Sequence, residues 1–173
     1  MSGVSEIDSI HKFAWPQIAR ELNARGWSVL PRLLSSRACQ QFPQAHADYL
    51  RACHAAGQVN PTPLLLRYGA GDFNCLHQDL YGEEVFPLQV ATLLSQPGVD
   101  FEGGEFVLTE QRPRMQSRVD VVPLKQGDAA LVAVNNRPMQ GTRGVYRVKL
   151  RHGVSTLREG HRHTLGIIFH DAK

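Results

Sequence analysis

The stretch KLRHGVSTLREGHRHTLGIIF, residues 149–169, decides the fold expected of this chain. Its first residues alternate between polar and apolar side chains, which is the period of a half-buried β-strand, and its end is an apolar run from Thr164 to Phe169. Between these two segments, Arg158-Glu159-Gly160 favours a turn. The two strands are therefore expected to run antiparallel, which would bring His152 and Arg162 to one pocket.

A short polar motif upstream, His77-Gln78-Asp79, supplies further metal-ligating groups. Residues two apart on a strand, or at its end, project to the same side, so His77 and Asp79 can bind one ion while Gln78 points away. His152 would complete a set of two imidazoles and one carboxylate from another strand. Such a set leaves positions open on an octahedral ion, which non-haem Fe(II) uses for an organic co-substrate and O2. The pattern predicts an oxygenase.

The remaining histidines and the cysteines are not expected to bind the metal. His163 is the nearest competitor, but strand alternation places it on the face opposite Arg162 and Thr164. The cysteines are odd in number and lack a paired-ligand spacing, so reduced thiols are expected at Cys39, Cys53 and Cys75.

The C-terminal two thirds of the chain is predicted to be rich in short strands. Gly, Pro and Asp separate these β-rich runs, a spacing typical of a sandwich or barrel. The predicted strands are Leu64–Tyr68, Leu88–Ser95, Glu105–Thr109, Val119–Val122, Ala129–Val134, Val145–His152 and Leu165–Phe169. Gly103 and Gly104 are interpreted as a bend or bulge, since no helix start follows them.

The N-terminal third is predicted to be helical support. The first helix places Phe13, Ile18, Ala19 and Leu22 on one face and ends at Gly26. The elements predicted after it are a short strand over Trp27–Leu30, a second helix starting within Ser35–Gln40 and a third helix over Ala45–Ala56.

Size and composition indicate one domain over residues 1–173. The chain is 42% hydrophobic and 20% charged, which suits a globular domain with a real core. Residues 1–60 are expected to form the helical support and residues 61–173 the catalytic core. There is no apolar stretch long enough to cross a bilayer, and residues 1–12 lack the order of a secretion signal, so a cytoplasmic location is expected.

The set His77-x-Asp79, His152 and Arg162-x-Thr164 resembles that of the 2-oxoglutarate/Fe(II)-dependent dioxygenases. The segments that resemble successive strands of that superfamily are Leu66–Phe73, Phe101–Phe106 and Leu124–Leu131. Other segments resemble a bacterial group predicted to demethylate damaged nucleic acid oxidatively: Pro63–Gly71, Cys75–Gly82, Gly103–Ser117 and Gly141–His152. Many of these relatives carry a longer helical stretch between the positions of Gln41 and Phe42.

This resemblance implies a mainly β fold with N-terminal helices (α+β), built around a double-stranded β-helix, the cupin-like jelly-roll. It implies Fe(II) held by His77, Asp79 and His152, with 2-oxoglutarate and O2 as co-substrates and ascorbate as a supporting reductant. Arg162 would bind the far carboxylate of 2-oxoglutarate through its planar fork, with help from the Thr164 hydroxyl. Tyr68 would add another donor, although a role as a core aromatic fits it equally well.

The charge distribution bears on the substrate. Residues 110–151 contain nine Lys or Arg against three Asp or Glu, whereas residues 1–109 contain seven against eleven. A basic surface near the pocket mouth would attract phosphates, whereas the plainer interpretation is an ordinary solvated strand face. The cations concerned are Arg112, Arg114, Arg118, Arg137, Arg143, Arg147, Lys149 and Arg151. The aromatic residues considered for base stacking are Phe73, Tyr81 and Phe86, the last of which fits core packing better.

The resemblance therefore implies oxidative demethylation of alkylated nucleobases, with alkylated nucleic acid as the partner. A prolyl-hydroxylase-like enzyme acting on a peptide, an amino acid or another small molecule is the main alternative. A sensor that binds metal and 2-oxoglutarate without turnover is a second alternative. A zinc hydrolase is a third, but Arg162 would then lack its carboxylate partner. The oligomeric state is not predicted.

Overall fold

The computed structural model describes residues 12–33, 36–37, 39–40, 63–80, 87–112, 114–142 and 144–168. Helix α1 covers Trp15–Arg25, and residues 36–37 and 39–40 are also helical. The strands are β1 Trp27–Leu30, β2 Pro63–Tyr68, β3 Asn74–His77, β4 Leu88–Leu93, β5 Phe101–Gly103, β6 Phe106–Gln111, β7 Arg118–Val122, β8 Ala129–Ala133, β9 Asn136–Gly141, β10 Gly144–Val154, β11 Leu157–Gly160 and β12 Arg162–Ile168.

Two antiparallel sheets form the body of the molecule. Sheet I has the strand order β1-β8-β4-β12-β2, and sheet II has the order β3-β10-β6-β7, with β9 also pairing with β10. A ribbon of β5 and β11 forms a third, two-stranded sheet. Side chains from both main sheets meet in one core, among them Leu93 and Val132 from sheet I and Leu108 and Val154 from sheet II. This arrangement confirms the predicted double-stranded β-helix.

Helix α1 covers the outer side of sheet I. Its buried Ile18 and the preceding Phe13 pack with Val90 and Ala129, which point away from the core between the two sheets. Gly26 ends the helix with a φ of 83°, and its N–H donates to the carbonyl of Leu22. The predicted helix and its end are confirmed.

Two details of the N-terminal prediction need comment. Ala19 was expected on the apolar face but is exposed, because the buried stripe runs through Ile18 and the half-buried Leu22, one turn apart. The helix predicted over Ala45–Ala56 lies outside the described residues, as do Cys53 and much of the second helix. Among the described helical residues, no segment has the length and apolar character that a membrane crossing requires.

The eight predicted strands are all present, with ends that move by up to three residues. Of the other four, β3 was expected only as the strand that carries His77, β5 lies within the segment Phe101–Phe106, and β9 and β11 were not predicted. The predicted turn at Arg158-Glu159-Gly160 is wrong, because these residues belong to β11, which pairs with β5. Gly160 has a φ of 80°, and a Cβ there would overlap the carbonyl oxygen of Asp100. The close approach of two backbones, not a hairpin, explains this glycine.

As a result, the strands that carry His152 and Arg162 are not neighbours. β10 lies in sheet II and β12 in sheet I, where β12 pairs with β2 and β4. The chain crosses from one sheet to the other through β11. His152 and Arg162 therefore reach the interior from opposing sheets, and the expectation of an antiparallel pair was wrong.

Candidate metal centre

The candidate metal centre lies where β3 and β10 of sheet II pair. His77 and His152 are direct cross-strand partners, and the centroids of their rings are 4.3 Å apart. Asp79 follows two residues after the end of β3. Its Oδ1 lies 3.5 Å from Nε2 of His77, and its Oδ2 lies 3.2 Å from Nε2 of His152. The three ligand atoms lie within 4.8 Å of one another, so the structure brings the three predicted metal ligands together.

Gln78 anchors the segment between the two upstream ligands. Its amide Nε2 donates to Oδ1 of Asn135 and to the carbonyl of Leu150, each at 2.8 Å. The side chain thus points away from His77 and Asp79, as strand alternation predicts. These two hydrogen bonds connect the residue after β3 to Asn135 and to Leu150 of β10. They therefore hold the segment that carries Asp79 in place.

The backbone also favours this convergence. A Cβ at Gly153 would lie 2.6 Å from the carbonyl oxygen of Asn74, so glycine permits β10 to approach β3 closely beside the two histidines. Nδ1 of His77 lies 2.7 Å from the carbonyl oxygen of Cys75. This contact orients the ring so that Nε2 faces Asp79, the arrangement commonly found for metal-binding imidazoles.

The electrostatics of the cluster suit a cation. Burial raises the pKa of Asp79, but the hydrogen bonds from His152 and His77 outweigh it and hold the pKa well below its usual range. The hydrogen bond to Asp79 raises the pKa of His77, with burial opposing it. A buried carboxylate between two imidazoles therefore presents one negative charge and two nitrogen donors, which fits a divalent metal of intermediate softness such as Fe(II).

Arg162 is buried behind this centre, with only 1% of its surface exposed. Its Nη1 donates to the hydroxyl of Thr164, and its guanidinium lies 5.4 Å from the ring centroid of Tyr68. No acidic side chain pairs with it in the part of the chain that the structure describes, and its Nε has no hydrogen-bond partner there. Burial lowers its pKa to about 10, and Tyr68 and Glu105 oppose that effect.

A cavity of about 300 Å³ joins most of the predicted site residues. The residues with polar side chains that line it are Tyr68, Asn74, His77, Asp79, Gln89, His152 and Thr164. Arg162 lines an adjoining cavity of about 400 Å³, and Phe106 lines both. Thr164 and Tyr68 thus stand between the metal cluster and the guanidinium.

Two residues of this cavity were missed in the sequence. Gln89 is 4% exposed on β4, and its Nε2 lies 3.0 Å from Nε2 of His152, while its Oε1 has no partner among the described residues. The sequence feature that could have identified it is a glutamine within the mostly apolar strand Leu88–Leu93. Phe106 packs its ring 5.9 Å from that of His152. In the sequence, Phe106 has the pattern of an ordinary core aromatic. Its position lining both cavities becomes visible only in the structure.

The basic surface is smaller than predicted. Arg137 is buried and pairs with Glu110, and it also donates to the carbonyls of Asn23 and Ala24 at the end of α1. Arg112 pairs with Glu110 as well, and Arg118 pairs with Asp120. Arg137 was wrongly placed on the surface because it faces inward on β9, opposite the buried Val148.

The predicted stacking residues are only partly described. Phe73 directly precedes β3 and is 60% exposed. Tyr81 and Phe86 lie outside the described residues, as does Arg143. Phe73 is therefore the one of the three whose exposure can be compared with the prediction, and it suits a surface contact.

A protein-family model described as "Oxygenase, catalysing oxidative methylation of damaged DNA" matches residues 6–172. The chain belongs to this oxygenase family. An uncharacterized protein found in two strains of Mycobacterium tuberculosis is 52% identical over 131 residues, which cover 76% of this chain. The chain spans 56% of the length of that relative.

Solved structures agree on the fold. A 2OG-Fe(II) oxygenase family oxidoreductase from Burkholderia pseudomallei has a TM-score of 0.59 at 15% identity, over 90% of this chain and 89% of that one. A Trichoplax adhaerens prolyl hydroxylase, solved with a hypoxia inducible factor peptide fragment, has a TM-score of 0.56 at 15% identity, over 93% and 88%. The family description gives an oxygenase, and these solved structures agree with this chain on the fold.

Proposed function

We propose that this oxygenase couples the oxidative decarboxylation of 2-oxoglutarate to hydroxylation of an N-methyl group on an alkylated nucleobase. The single observation that carries the co-substrate assignment is the guanidinium of Arg162, which is buried near the His77, Asp79 and His152 cluster and lies in no ion pair among the described residues. A buried cation without a counter-ion is unfavourable unless an anion joins it. A dianionic co-substrate supplies one carboxylate for the metal and one for Arg162.

In this proposal, His77, Asp79 and His152 would hold Fe(II). With 2-oxoglutarate and O2, the metal would supply the oxidation that converts 2-oxoglutarate and a methyl C–H bond into succinate, carbon dioxide and a hydroxymethyl group. Arg162 holds the far carboxylate of the co-substrate, and the hydroxyls of Thr164 and Tyr68 orient it along the path between the two cavities.

The apolar wall of the cavity keeps water away from the reacting methyl group. Leu66, Ala91 and Ile168 line the cavity that holds the cluster, together with Phe106. An apolar, enclosed site strengthens every charge interaction within it and limits side reactions with solvent. Gln89, with a buried amide oxygen that has no described partner, is placed to orient either the co-substrate or the target base.

The nucleobase assignment draws its support from the family description and from the surface. Hydroxylation of an N-methyl group gives an unstable hemiaminal, which loses formaldehyde and restores the base. A base in a duplex must leave the stack to reach this cavity, at a cost of about a few kcal/mol that alkylation reduces. Phe73, exposed beside β3, is positioned to stack on such a base, a contact worth about 1–3 kcal/mol.

The test is a coupled assay on the full chain with Fe(II), 2-oxoglutarate and ascorbate. A methylated oligonucleotide should release formaldehyde together with an equal amount of succinate above the background formed without substrate, and the unmethylated oligonucleotide should release no formaldehyde. A parallel screen offers peptides and small metabolites. Succinate formation driven by a peptide, without formaldehyde from any methylated base, would contradict the nucleobase assignment. Binding of Fe(II) and 2-oxoglutarate with no succinate from any substrate would favour a sensor instead.

A further inference from the structure

The outer face of β10 carries three exposed cations in alternating positions. Arg147, Lys149 and Arg151 are exposed, whereas the intervening Val148 and Leu150 are buried, as is His152 at the metal cluster. Strand alternation therefore places the three cations on the side of sheet II that faces away from the core. The same strand contributes a metal ligand on one face and a row of positive charge on the other.

The residues around this row are not acidic. Directly opposite the cations lie Thr109 and Gln111 on β6, and Asn136 and Pro138 on β9. Side chains of directly opposed residues share a face of the sheet, so these are the cations' neighbours. Beyond Thr109 lies the exposed Val119 of β7. The described strands of sheet II thus present no carboxylate beside the row.

Three other cations of the same region have acidic partners. Arg112 and Arg137 share Glu110, and Arg118 pairs with Asp120. Within the described ranges, neither Arg147, Lys149 nor Arg151 lies in an ion pair. An ordinary solvated strand face intersperses both signs of charge, so a row of one sign points to an anionic partner.

We propose that this row, Arg147, Lys149 and Arg151, binds the phosphate backbone of the nucleic acid that flanks the target base. The inference rests on the proposed function and adds to it the surface that holds the substrate. Alternate residues on an antiparallel strand are about 6.8 Å apart. That is twice the about 3.4 Å axial rise per nucleotide of one strand in duplex DNA, so the row, about 13.6 Å from Arg147 to Arg151, matches about four nucleotide steps.

The row is within reach of the metal cavity. β3 forms the edge of sheet II next to the part of β10 that carries His152, so one strand separates Arg151 from that edge. Neighbouring strands are about 4.8 Å apart, so a backbone that leaves the cavity crosses one strand to reach Arg151. His77 and the exposed Leu76 of β3 lie along this path. The target base would enter the cavity while its neighbours lie across the outer face.

The test separates binding from turnover by using an unmethylated single-stranded oligonucleotide of about twenty bases. We expect the triple variant Arg147→Gln, Lys149→Gln and Arg151→Gln to bind it about tenfold or more weakly in fluorescence anisotropy. The slope of log K against log salt should fall by about 2, since each neutralised contact removes about 0.7 for a single strand. Uncoupled succinate formation, which does not require the nucleic acid, should stay unchanged.

The matched control neutralises the same number of exposed cations elsewhere: Arg20→Gln, Arg37→Gln and Lys125→Gln. It should bind like the unsubstituted protein, and both triple variants should show the same thermal unfolding temperature as that protein. Equal binding and an equal salt slope in the outer-face variant would overturn the proposed surface, even if the unsubstituted enzyme releases formaldehyde.

Two further outcomes separate this inference from the proposed function. If the row governs oligonucleotide binding but no methylated base yields formaldehyde, the surface is supported and the demethylase proposal fails. If polyglutamate displaces the oligonucleotide at the same concentration of negative charge, the row recognises any polyanion. An acidic protein would then be favoured as the occupant and the nucleic-acid assignment overturned.

Discussion

His77 and His152 are cross-strand partners on β3 and β10, and the Asp79 carboxylate lies within 3.5 Å of Nε2 of both rings. The backbone ladder therefore positions two ligands on rigid strands, and the third follows one short step beyond a strand end. Such support keeps ligand atoms within the small tolerance that a functional metal site needs. Four predictions follow from this geometry and from the packing around it.

Replacing His77 with Ala should remove the metal and end turnover. The expected loss exceeds the about 10–100-fold effect of losing an outer-shell partner, because a direct ligand disappears. Metal content after Fe(II) loading and succinate release are the measurements. His161→Ala, an exposed histidine outside the cavity, is the control and should retain both. Full iron content in the His77 variant would refute the ligand assignment.

Replacing Arg162 with Met should separate co-substrate affinity from stability. Loss of the guanidinium is expected to raise the KM for 2-oxoglutarate by about tenfold or more, because its charge-assisted hydrogen bonds disappear. The free energy of unfolding without ligand should be unchanged or higher, since a buried cation with no acidic partner in the described chain has gone.

Thermal unfolding with 2-oxoglutarate provides the second measurement for the same variant. Ligand at one hundred times its Kd stabilises a protein by about 2.7 kcal/mol, and the variant should lose most of this gain. A large loss of stability together with unchanged 2-oxoglutarate affinity would mean that Arg162 serves the core alone.

The buried pair of Glu110 and Arg137 should make stability depend on pH. Burial raises the pKa of Glu110, but hydrogen bonds from Arg112 and Arg137 outweigh it, so the pKa is lowered overall. The stabilisation from ionised Glu110 is therefore present above the pKa of about 4.3 that a glutamate has in the unfolded chain. It is lost as the pH falls through the lower pKa that Glu110 has in the folded protein.

Glu110→Gln tests this dependence. The variant should be less stable by about 3 kcal/mol at pH 7, because it leaves Arg137 buried without its partner. Urea unfolding at a series of pH values should show the difference shrinking as the pH approaches 3. A difference that is the same at every pH would show that ionised Glu110 is not its source.

Gly160 lies in β11, through which the chain crosses between the two sheets, and Gly98 provides a matched control. Both have a positive φ, 80° and 75°, but a Cβ at Gly160 would overlap the backbone of Asp100, whereas one at Gly98 meets nothing within 4 Å. Gly98→Ala should cost about 1 kcal/mol through its backbone conformation alone. Gly160→Ala should cost about 3 kcal/mol or more and displace β11 from β5. Equal unfolding free energies for the two variants would contradict the close approach.

Local patterns in the chain predicted much of this molecule. Alternation and β-branched residues marked seven strands in the C-terminal two thirds of the chain, and the positions of Ile18 and Gly26 predicted α1 and its end. The two-residue step from His77 to Asp79 placed both side chains on one side because a strand has a period of two. These patterns involve only residues that are close in the sequence, so they can be recognised without knowing which strands pair.

Other features depended on which segments meet in space. β5 and β11 are short, and β11 was taken for a turn because its Gly160 has the same conformational freedom that a turn requires. Arg137 was placed among surface cations, since nothing in its neighbours along the chain shows that Glu110, twenty-seven residues away, lies beside it. Gln89 was missed because its role comes from His152 on the opposite sheet.

The residues that could bind iron were thus determined by the sequence itself, since ligand chemistry and strand periodicity are properties of a few adjacent positions. The tertiary structure alone decided that His152 and Arg162 come from opposing sheets, with Thr164 and Tyr68 between the metal cluster and the guanidinium. The physical reason is that a jelly-roll passes successive strands from one sheet to the other. Which side chains face each other across its interior is set by pairing between distant segments.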